Sequence, residues 1–438
     1  MKEYKKYKDT GVEWIGDIPF DWNYVRLKLI SNISKGRKPK KDFEEFAEGL
    51  LPYMSMEYLR NKTNSPIYAD SNESNLVLVE EGDLLILWDG SKAGEIVQAK
   101  KGVLSSTMAK IEIKDIRFES NYLNYLLQLG EKHIQNNTIG MGIPHVNGNI
   151  LKNLMMLIPC PEEQTQIAKY LDYKTGLIDA VIEKKELLIK KLKEQRQAII
   201  NEAITKGLNP NAIMKDSGVE WLGKIPEQWN CMKMKNGCEF ILDGTHGSYK
   251  RVEDGFRLLS VRNIIQDKFT FRDDDSCISK KDYLEISSKF KINKGDIQLA
   301  IVGATLGKAA LVSKMSEDFV TQRSLATIRS NPNKLFNKYL YYFIKSESFQ
   351  SYLWLNAAFS AQPGVYLGTL QNCTLPSIDV KEQIQIVQFI DEKICSIEKI
   401  YEKIPFQIGK LKSYRQSIIS EAVTGKIDVR DWQAPKIT

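Results

Sequence analysis

Two stretches of the chain carry apolar residues at steps of three, four or seven positions, which is the spacing of a heptad repeat. The first stretch runs from Glu162 to about Lys206 and contains no proline and a single glycine, Gly176. Its apolar positions are Ile167, Leu171, Ile178, Val181, Leu188, Leu192 and Ile199. Those of the second stretch are Ile386, Ile390, Ile397, Ile400, Ile404, Leu411 and Ile418. A heptad pattern sustained over roughly five repeats predicts a long helix in a coiled coil.

The natural partner of each long helix is the other one, packed parallel or antiparallel within the chain. The alternative is two ordinary amphipathic helices, each covering its own domain, but their length favours the coiled coil. Lys174, Lys185 and Gln195 interrupt the first apolar seam. Pro405 lies inside the second helix, where proline costs about 3 kcal/mol or kinks the helix, so we expect this helix to bend or restart there.

The residues before each long helix, 23–160 and 230–377, contain short β-rich runs bounded by turns. Leu84–Trp88 and Ile297–Val302 each follow a Gly-Asp pair and each lead into a glycine-bearing turn. Helical stretches follow near Asn121–Leu129 and Asn337–Trp354. This succession predicts a mixed α/β domain in each half of the chain.

Sequence blocks outside these variable stretches occur twice. Asp9–Trp22 reappears as Asp216–Trp229 with nine of fourteen positions identical, and we call these two segments the Trp blocks. The Glu-Gln-x-Gln-Ile segment 163–167 and the segment 191–203 reappear 219 residues later, at 382–386 and 410–422. The blocks match closely and the stretches between them hardly match. That contrast favours a fixed frame carrying two different binding domains over duplication followed by simple drift.

We therefore predict a mixed α+β chain, in the α/β class, built as a pseudo-twofold tandem repeat. Its predicted parts are a first variable domain at 1–160, a first long spacer helix at 161–208, a second variable domain at 209–377, and a second long helix with a C-terminal tail at 378–438. The two long helices are expected to pair as an intramolecular coiled coil.

Composition narrows the class of protein. With 42% hydrophobic and 27% charged residues over 438 positions, the chain can bury a sizeable core and is expected to be soluble. No apolar run approaches the roughly 18 residues that a membrane helix needs, and no secretory signal is expected at the N-terminus. Six cysteines without a C-x-x-C pair favour the cytoplasm. The net charge of +7 permits a polyanionic partner without requiring one.

Several loop segments are suited to nucleic acid. The segment 34–41 holds five basic residues and no acid, and the Gly-rich segment 243–251 ends in two cations. Segments 105–107 and 321–324 occupy matching places in the two halves. Lys and Arg can neutralise phosphates, while Arg, Gln, Asn and Ser can contact base edges. Each segment alone is more typical of a solvated basic loop, but their occurrence at similar places in both halves makes DNA binding an equal alternative.

Motifs for catalysis are incomplete. Gly303–Lys308 is one residue short of a phosphate-binding loop, and Ala309 stands where a Mg²⁺-binding Ser or Thr is required. Asp89 with Glu112 and Lys114 has the loose form of a nuclease centre. The three histidines lack ligand spacing, so no metal site is predicted. A stand-alone nuclease and a protein-binding adaptor are retained as alternatives to a DNA-binding function.

The repeated blocks resemble those of the specificity subunit of type I restriction-modification systems. The resemblance rests on the Gly-Val-Glu-Trp-x-Gly-x-Ile-Pro-x-x-Trp core of both Trp blocks, the Glu-Gln-x-x-Ile helix start and the Arg-Gln-x-Ile-Ile-x-Glu-Ala helix end. These motifs occur in both halves, in order, and cover nearly the whole chain.

The resemblance implies that the variable domains are target-recognition domains, each contacting half of a bipartite, asymmetric sequence in double-stranded DNA. The paired helices would set the gap between the half-sites and would seat two methyltransferase (modification) subunits. Those subunits would use S-adenosylmethionine to methylate adenine, and restriction/translocase subunits would hydrolyse ATP with Mg²⁺. This chain would bind no cofactor and no metal, contact no membrane and perform no catalysis.

Matching the family's recognition loops to this sequence gives thirteen candidate DNA-binding residues. In the first domain they are Lys35, Arg37, Lys38, Lys40, Lys41, Ser91, Lys92 and Ser106; in the second they are Thr245, His246, Lys250, Arg251 and Arg323. The DNA target and the gap length do not follow from the sequence.

Overall fold

Short apolar runs between glycine turns form the strands of each half in a computed structural model. It describes residues 2–60, 66–313, 315, 317–359 and 362–435. The chain divides into two compact units. Unit 1 consists of Met1–Lys185 and Phe406–Thr438, and unit 2 consists of Glu186–Pro405. Both dividing positions therefore fall in or beside the long helices, and each unit contains one variable domain with segments of both helical regions.

Unit 1 contains the strands β1 (Tyr7–Asp9), β2 (Asp17–Pro19), β3 (Asn23–Arg26), β4 (Ser31–Lys35), β5 (Leu50–Met54), β6 (Tyr68–Asp70), β7 (Leu78–Val79), β8 (Leu84–Leu87), β9 (Ile96–Gln98), β10 (Gly102–Leu104), β11 (Met108–Ile113) and β12 (Met155–Ile158). Its helices are α1 (Met56–Leu59), α2 (Ser120–Asn136), α3 (Gly148–Lys152) and the first part of α4 (Pro161–Lys206). A single 3₁₀ turn lies at Leu27–Leu29.

An antiparallel sheet with the strand order β4-β11-β8-β9 forms the centre of unit 1. All four residues of β8 are buried, as expected for a continuous apolar run in a central strand. A second sheet has the order β6-β5-β10-β7 and includes one parallel pair, β5 with β10. The antiparallel pairs β1–β2 and β3–β12 connect the Trp block and the start of α4 to this domain.

Unit 2 contains β13 (Met214–Asp216), β14 (Lys224–Pro226), β15 (Asn230–Lys233), β16 (Cys238–Asp243), β17 (Phe256–Leu259), β18 (Ile264–Ile265), β19 (Lys268–Phe269), β20 (Cys277–Ile278), β21 (Ile297–Ala300), β22 (Ala309–Leu311), β23 (Phe319–Thr321), β24 (Leu325–Ser330), β25 (Ala358–Phe359), β26 (Pro363–Gly364) and β27 (Thr374–Ser377). Its helices are α5 (Met234–Gly237), α6 (Lys280–Ser287), α7 (Asn337–Lys345), α8 (Glu347–Leu355), α9 (Leu367–Asn372) and α10 (Val380–Tyr401). The last helix of the chain, α11 (Lys403–Val423), begins in unit 2 and continues in unit 1.

The sheets of unit 2 repeat those of unit 1 and extend them. The order β16-β24-β21-β22 matches β4-β11-β8-β9, and β19 and β18 are added beyond β22. The parallel pair β17–β23 matches β5–β10, and β15–β27 matches β3–β12. The mixed α/β tandem repeat predicted from the sequence is therefore confirmed.

The repeated Glu-Gln pair fastens each long helix to its domain. Gln164 is fully buried; its amide accepts from Glu119 N at 2.8 Å and donates to the carbonyls of Arg117 and Pro159. Gln383 makes the same three bonds to Phe336 N and to the carbonyls of Lys334 and Ile378.

Each glutamate of the pair accepts a hydrogen bond from a tryptophan of a Trp block. Trp22 donates to Glu163 and Trp229 donates to Glu382, both at 3.0 Å. Because a buried polar group needs a partner, these four side chains fix the position of the Trp block against the helix start.

Within unit 1, α4 and α11 pack antiparallel. Asp179 pairs with Arg415 at 3.0 Å, and six residues further along α4 Lys185 donates to Gln407, eight residues earlier in α11. In unit 2 the Lys193 ammonium lies over the Tyr401 ring, 5.7 Å from its centroid. The helical pairing predicted from the heptads is thus present within each unit.

Three of the predicted seam positions are wrong. Val181, Leu188 and Ile400 are 42%, 40% and 49% exposed. The packed positions are instead the residues that follow them, Ile182, Ile189 and Tyr401. Steps of seven residues connect these positions to Thr175 in α4, to Ile394 in α10 and to Ile408 in α11. Lys185, read from the sequence as an interruption, occupies a seam position and satisfies its ammonium with Gln407.

The second long helix restarts close to Pro405, as predicted. Helix α10 ends at Tyr401, Glu402 keeps a right-handed helical conformation, and α11 begins at Lys403. Pro405 is therefore in the first turn of α11, where the missing N–H needs no partner within the helix. No helix in the described part of the chain combines the length and apolar composition needed to cross a bilayer.

Candidate nucleic-acid interface

Four loops of unit 1 meet at one edge of its central sheet. Strands β4 and β8 end there and β11 begins there, since Lys35 pairs with Ala109 and Leu87 pairs with Met108. The loop 139–145 joins this edge through the backbone bridge between Asp89 and His145. The edge therefore collects the loops 35–41, 88–94, 105–107 and 139–145.

An ionic network organises this edge. Asp89 accepts from Lys35 Nζ at 3.0 Å, and its other carboxylate oxygen lies 2.7 Å from His145 Nδ1. The Lys35 ammonium also lies over the Trp88 ring, 5.6 Å from its centroid. Trp88 and His145 were not predicted as parts of this site, because the contacts that unite them join residues 53 to 56 positions apart.

The basic segment after β4 is open to solvent. Arg37, Lys38, Lys40 and Lys41 are all exposed. Lys41 lies 4.9 Å from the centroid of the Phe43 ring, and the ion pairs of the described residues include none of these four cations. Exposed cations on a loop are well placed to neutralise phosphates.

The remaining candidates of the first domain differ in accessibility. Ser91 and Lys92 are exposed and lie in the loop after Asp89. Ser106 is half-buried: its backbone N–H donates to the Tyr53 hydroxyl at 2.9 Å, and that hydroxyl lies 3.4 Å from Ser106 Oγ. The Ser106 hydroxyl is thus already engaged with Tyr53.

Unit 2 has a corresponding edge with different side chains. Thr245 N donates to Thr321 O at 2.8 Å, and Thr245 O accepts from Arg323 N at 3.0 Å. The Gly-rich loop is therefore clamped against the turn before β24, which brings Thr245 and Arg323 together. Gly244 permits this close approach, because a Cβ there would lie 2.2 Å from Thr321 O; Gly36 has the same relation to Ser105 O.

The exposed candidates of unit 2 follow this clamp. His246 Nε2 contacts the Asp243 carboxylate, and the Thr245 hydroxyl lies 3.2 Å from the Tyr249 hydroxyl. Lys250 and Arg251 are exposed, and Arg251 donates to Tyr249 O. Arg323 is exposed as well, so this edge offers three open cations and several hydroxyl and imidazole groups.

The three residues weighed as a nuclease centre do not come together. Asp89 follows the end of β8, whereas Glu112 lies in β11 beyond the residue paired with Leu84, at the opposite end of that strand. Lys114 follows Glu112 at the same far end. Among the described residues, no group of three or more His, Cys, Asp and Glu side chains is arranged to hold a metal ion.

A cavity of about 550 Å³ lies beside the first edge, within unit 1. Its lining includes Lys92, Glu131, Pro144 and Arg415. Burial raises the pKa of Glu131 to about 7, even though the carboxylate accepts a backbone hydrogen bond from Ile96 at 2.9 Å. This acidic group was not found from the sequence, which gives no sign that helix α2 buries it.

Two like backbone scaffolds that present unlike polar and cationic loops are typical of a component that recognises DNA sequence. The comparisons with known proteins agree. The family described as the type I restriction modification DNA specificity domain matches residues 19–191 and 252–408. The chain belongs to this family, whose members are non-catalytic specificity subunits of restriction-modification systems.

Similar proteins cover nearly the full length. The MjaVIII specificity subunit of Methanocaldococcus jannaschii is 31% identical over 418 residues, covering 94% of this chain and 95% of that protein. The EcoBI specificity subunit of Escherichia coli is 22% identical over 440 residues, covering 98% and 91%. A chain from a structural study of the assembly of a type I restriction-modification system aligns with a TM-score of 0.67 at 17% identity, covering 94% of this chain and 99% of that one.

Proposed function

We propose that each variable domain of this specificity subunit binds one half of a bipartite, asymmetric sequence in double-stranded DNA. The observation that carries the proposal is the pair of equivalent sheet edges with unlike side chains. Lys35, Ser91 and Lys92 occupy the first edge, whereas Thr245, His246 and Arg323 occupy the second. Unlike donors and acceptors contact unlike base edges, so the two half-sites would differ.

The exposed cations of both edges supply the affinity that does not depend on sequence. Arg37, Lys38, Lys40 and Lys41 in the first domain and Lys250 and Arg251 in the second are free to approach phosphates. Phosphate neutralisation releases counterions, so binding should weaken steeply with salt. The hydroxyl, amide and imidazole groups near the strand ends are then left to contact bases.

The helices would set the spacing between half-sites and dock two methyltransferase subunits. Helix α4 runs unbroken for 46 residues, about 69 Å at 1.5 Å per residue. It exposes four large apolar side chains, Leu177, Val181, Leu187 and Leu188. Apolar groups left open on a charged helix are typical of surfaces that a partner covers.

The partner subunits would carry out the catalytic reactions. Methyltransferase subunits would hold S-adenosylmethionine, and restriction/translocase subunits would use ATP and Mg²⁺, while this chain contributes binding and geometry. The complex would act on DNA in the cytoplasm. The names of the similar proteins, which are specificity subunits of type I restriction enzymes, support this division of labour.

The proposal is tested by mapping methylated adenines in a methylation-free bacterial host. The chain is co-expressed with the methyltransferase subunits encoded beside it. We expect one split motif with two unlike halves, which disappears when this chain is omitted. Omitting the chain without changing the pattern would contradict the proposal.

Single variants then assign the domains. Arg323→Ala is expected to relax or abolish recognition of one half-site only, and Lys92→Ala that of the other. Glu112→Ala serves as a control and should leave methylation intact. Loss of methylation in this variant would favour the nuclease alternative. A protein-binding adaptor predicts that DNA affinity is flat with salt, against a log-log slope near −0.9 per phosphate contact for DNA binding.

A further inference from the structure

The loop 139–145 of unit 1 exposes apolar side chains that no part of the proposed function uses. Met141 is fully exposed, at 106% of its reference area, and Ile139 and Ile143 are 54% and 61% exposed. They alternate along the loop with Gly140 and Gly142. Both glycines have positive φ angles, 108° and 99°, which side chains rarely adopt. The backbone is thus shaped to hold three apolar groups at one tip.

This tip stands on a fixed base. Ile139 N donates to His145 O at 2.9 Å and His145 N donates to Ile139 O at 2.7 Å, closing a small hairpin. Gly90 N donates to Pro144 O at 2.9 Å, and the His145 ring contacts Asp89. Asp89 in turn holds Lys35. The hairpin is therefore anchored in the same ionic network that organises the candidate DNA-binding edge.

From this placement we propose that Met141, supported by Ile139 and Ile143, is a wedge that inserts between two base pairs of the bound DNA. The proposal rests on the proposed function of the first domain. Apolar side chains such as Met and Ile unstack a base step when cationic groups beside them hold the backbone. Lys35 and Lys92 supply those cations at this edge.

The shape of the tip favours DNA over a protein as the occupant. Three side chains on a five-residue turn are far short of the roughly 800 Å² per partner that a stable protein interface buries. A single base step, in contrast, needs one narrow apolar group and flanking positive charge.

The wedge belongs to the first half-site alone. The backbone bonds Gly90 N to Pro144 O and Gly303 N to Pro363 O align the two loops at an offset of 219 residues. At that offset Ala358, Ser360 and Gln362 replace Ile139, Met141 and Ile143. The second domain therefore carries no large apolar side chain at these three positions, and its one large apolar residue in the loop, Phe359, stands at the position of Gly140. We expect the distortion at one half-site only.

The test uses the complex assembled with its methyltransferase subunits and duplexes carrying the fluorescent adenine analogue 2-aminopurine at successive steps of each half-site. The analogue is quenched when stacked. We expect a rise in fluorescence at one step of the first half-site, lost in Met141→Ala/Ile143→Ala and kept in Met141→Phe. Ile116→Ala is the matched control, because Ile116 is equally exposed, at 99%, elsewhere in unit 1.

The outcomes separate this inference from the proposed function. Sequence-specific binding without a rise at any step of the first half-site, or a rise unchanged in the double variant, would overturn the wedge and leave the proposed function standing. Loss of co-purification of the double variant with the methyltransferase subunits would identify the tip as a protein contact and also overturn it. Absence of specific DNA binding by the unaltered complex would instead overturn the proposed function.

Discussion

The two units hold the same frame with the same bonds and differ in what their sheet edges present. In both, a buried Gln satisfies three backbone groups, and a Trp donates to the preceding Glu. In both units the carboxylate directly before a central strand forms an ion pair, Asp83 with Lys110 and Asp296 with Arg329. At the edges, however, the Lys35–Asp89–His145 network of unit 1 has no counterpart in the Thr245 clamp of unit 2.

This difference indicates where the chain can vary. The frame bonds join buried or partly buried groups that would be left without partners if either were changed, so the frame is constrained by folding. The edge residues lie mostly in solvent, where substitutions usually alter stability by less than about 0.5 kcal/mol. Selection for a different DNA target can therefore change the loop residues without destabilising the frame.

The largest expected effect tests whether the frame bonds are equivalent. Gln164→Ala and Gln383→Ala each leave one backbone N–H and two carbonyls unpaired, so each should lower the free energy of unfolding of its unit by at least about 3 kcal/mol. Urea unfolding of both variants measures this. The exposed Gln388→Ala should change little, and a large difference between the two frame variants would break the equivalence.

A pH dependence should distinguish unit 1. The pKa of Glu131 is raised by burial to about 7 from an ordinary 4.5, so its contribution to stability is complete below about 4.5 and is lost as the pH rises to 7. In unit 2, 219 residues later, Gln350 cannot titrate. Glu131→Gln should therefore stabilise the protein by up to roughly 3 kcal/mol at pH 8 and hardly at pH 4.

Thermal unfolding at the two pH values checks this sign. Exposed Glu112→Gln is the control and should shift neither melting temperature appreciably. A gain for Glu131→Gln that is equal at both pH values would argue against a titrating carboxylate as its cause.

The close approach at each edge should be needed in both domains. Gly36→Ala and Gly244→Ala place a Cβ 2.2 Å from a carbonyl oxygen, and the resulting shift should cost about 1–3 kcal/mol. Each variant is expected to slow methylation of the split target roughly tenfold or more, through its own half-site. Gly176→Ala, where a Cβ meets nothing within 4 Å, should keep the rate.

The smallest effect concerns the helix ion pairs. Arg415 pairs with a half-exposed Asp179, so Arg415→Ala should lose only about 0.5 kcal/mol. Its repeat equivalent Arg196 pairs with a less exposed Asp267, and Arg196→Ala should lose somewhat more. Double-mutant cycles with Asp179→Ala and Asp267→Ala measure both coupling energies, which should shrink in high salt. Equal, salt-independent values would contradict a solvent-screened pairing.

The sequence was sufficient for the frame and insufficient for the site. Periodicity and repetition located α4, the restart near Pro405 and a mixed α/β domain in each half, because these depend on local spacing and on the repeated blocks. The seam was misplaced at Val181 and Leu188 since their neighbours Ile182 and Ile189 are also apolar, and spacing alone cannot choose within such pairs. Packing against the partner helix makes that choice.

The site required three-dimensional information. The cationic loops were recognisable by composition, and the structure places them at the strand ends. Yet Lys35, Asp89 and His145 meet only through strand pairing across more than one hundred residues, and no local pattern reports such contacts. The apolar tip at Met141 was likewise invisible, because an isolated Met between glycines has no periodicity.

The composition of the two units also determines the order in which they can be completed during synthesis. Unit 2 is one continuous segment, residues 186–405, whereas unit 1 needs residues 406–435 to return to its own beginning. At roughly 5–20 residues per second, the ribosome delivers that last helix about 10 to 50 s after Lys185. The first domain to emerge is therefore the last to be completed. Trp22 and Glu163 cannot contact Gly425 and Arg430 until after all residues of the second unit have been synthesised.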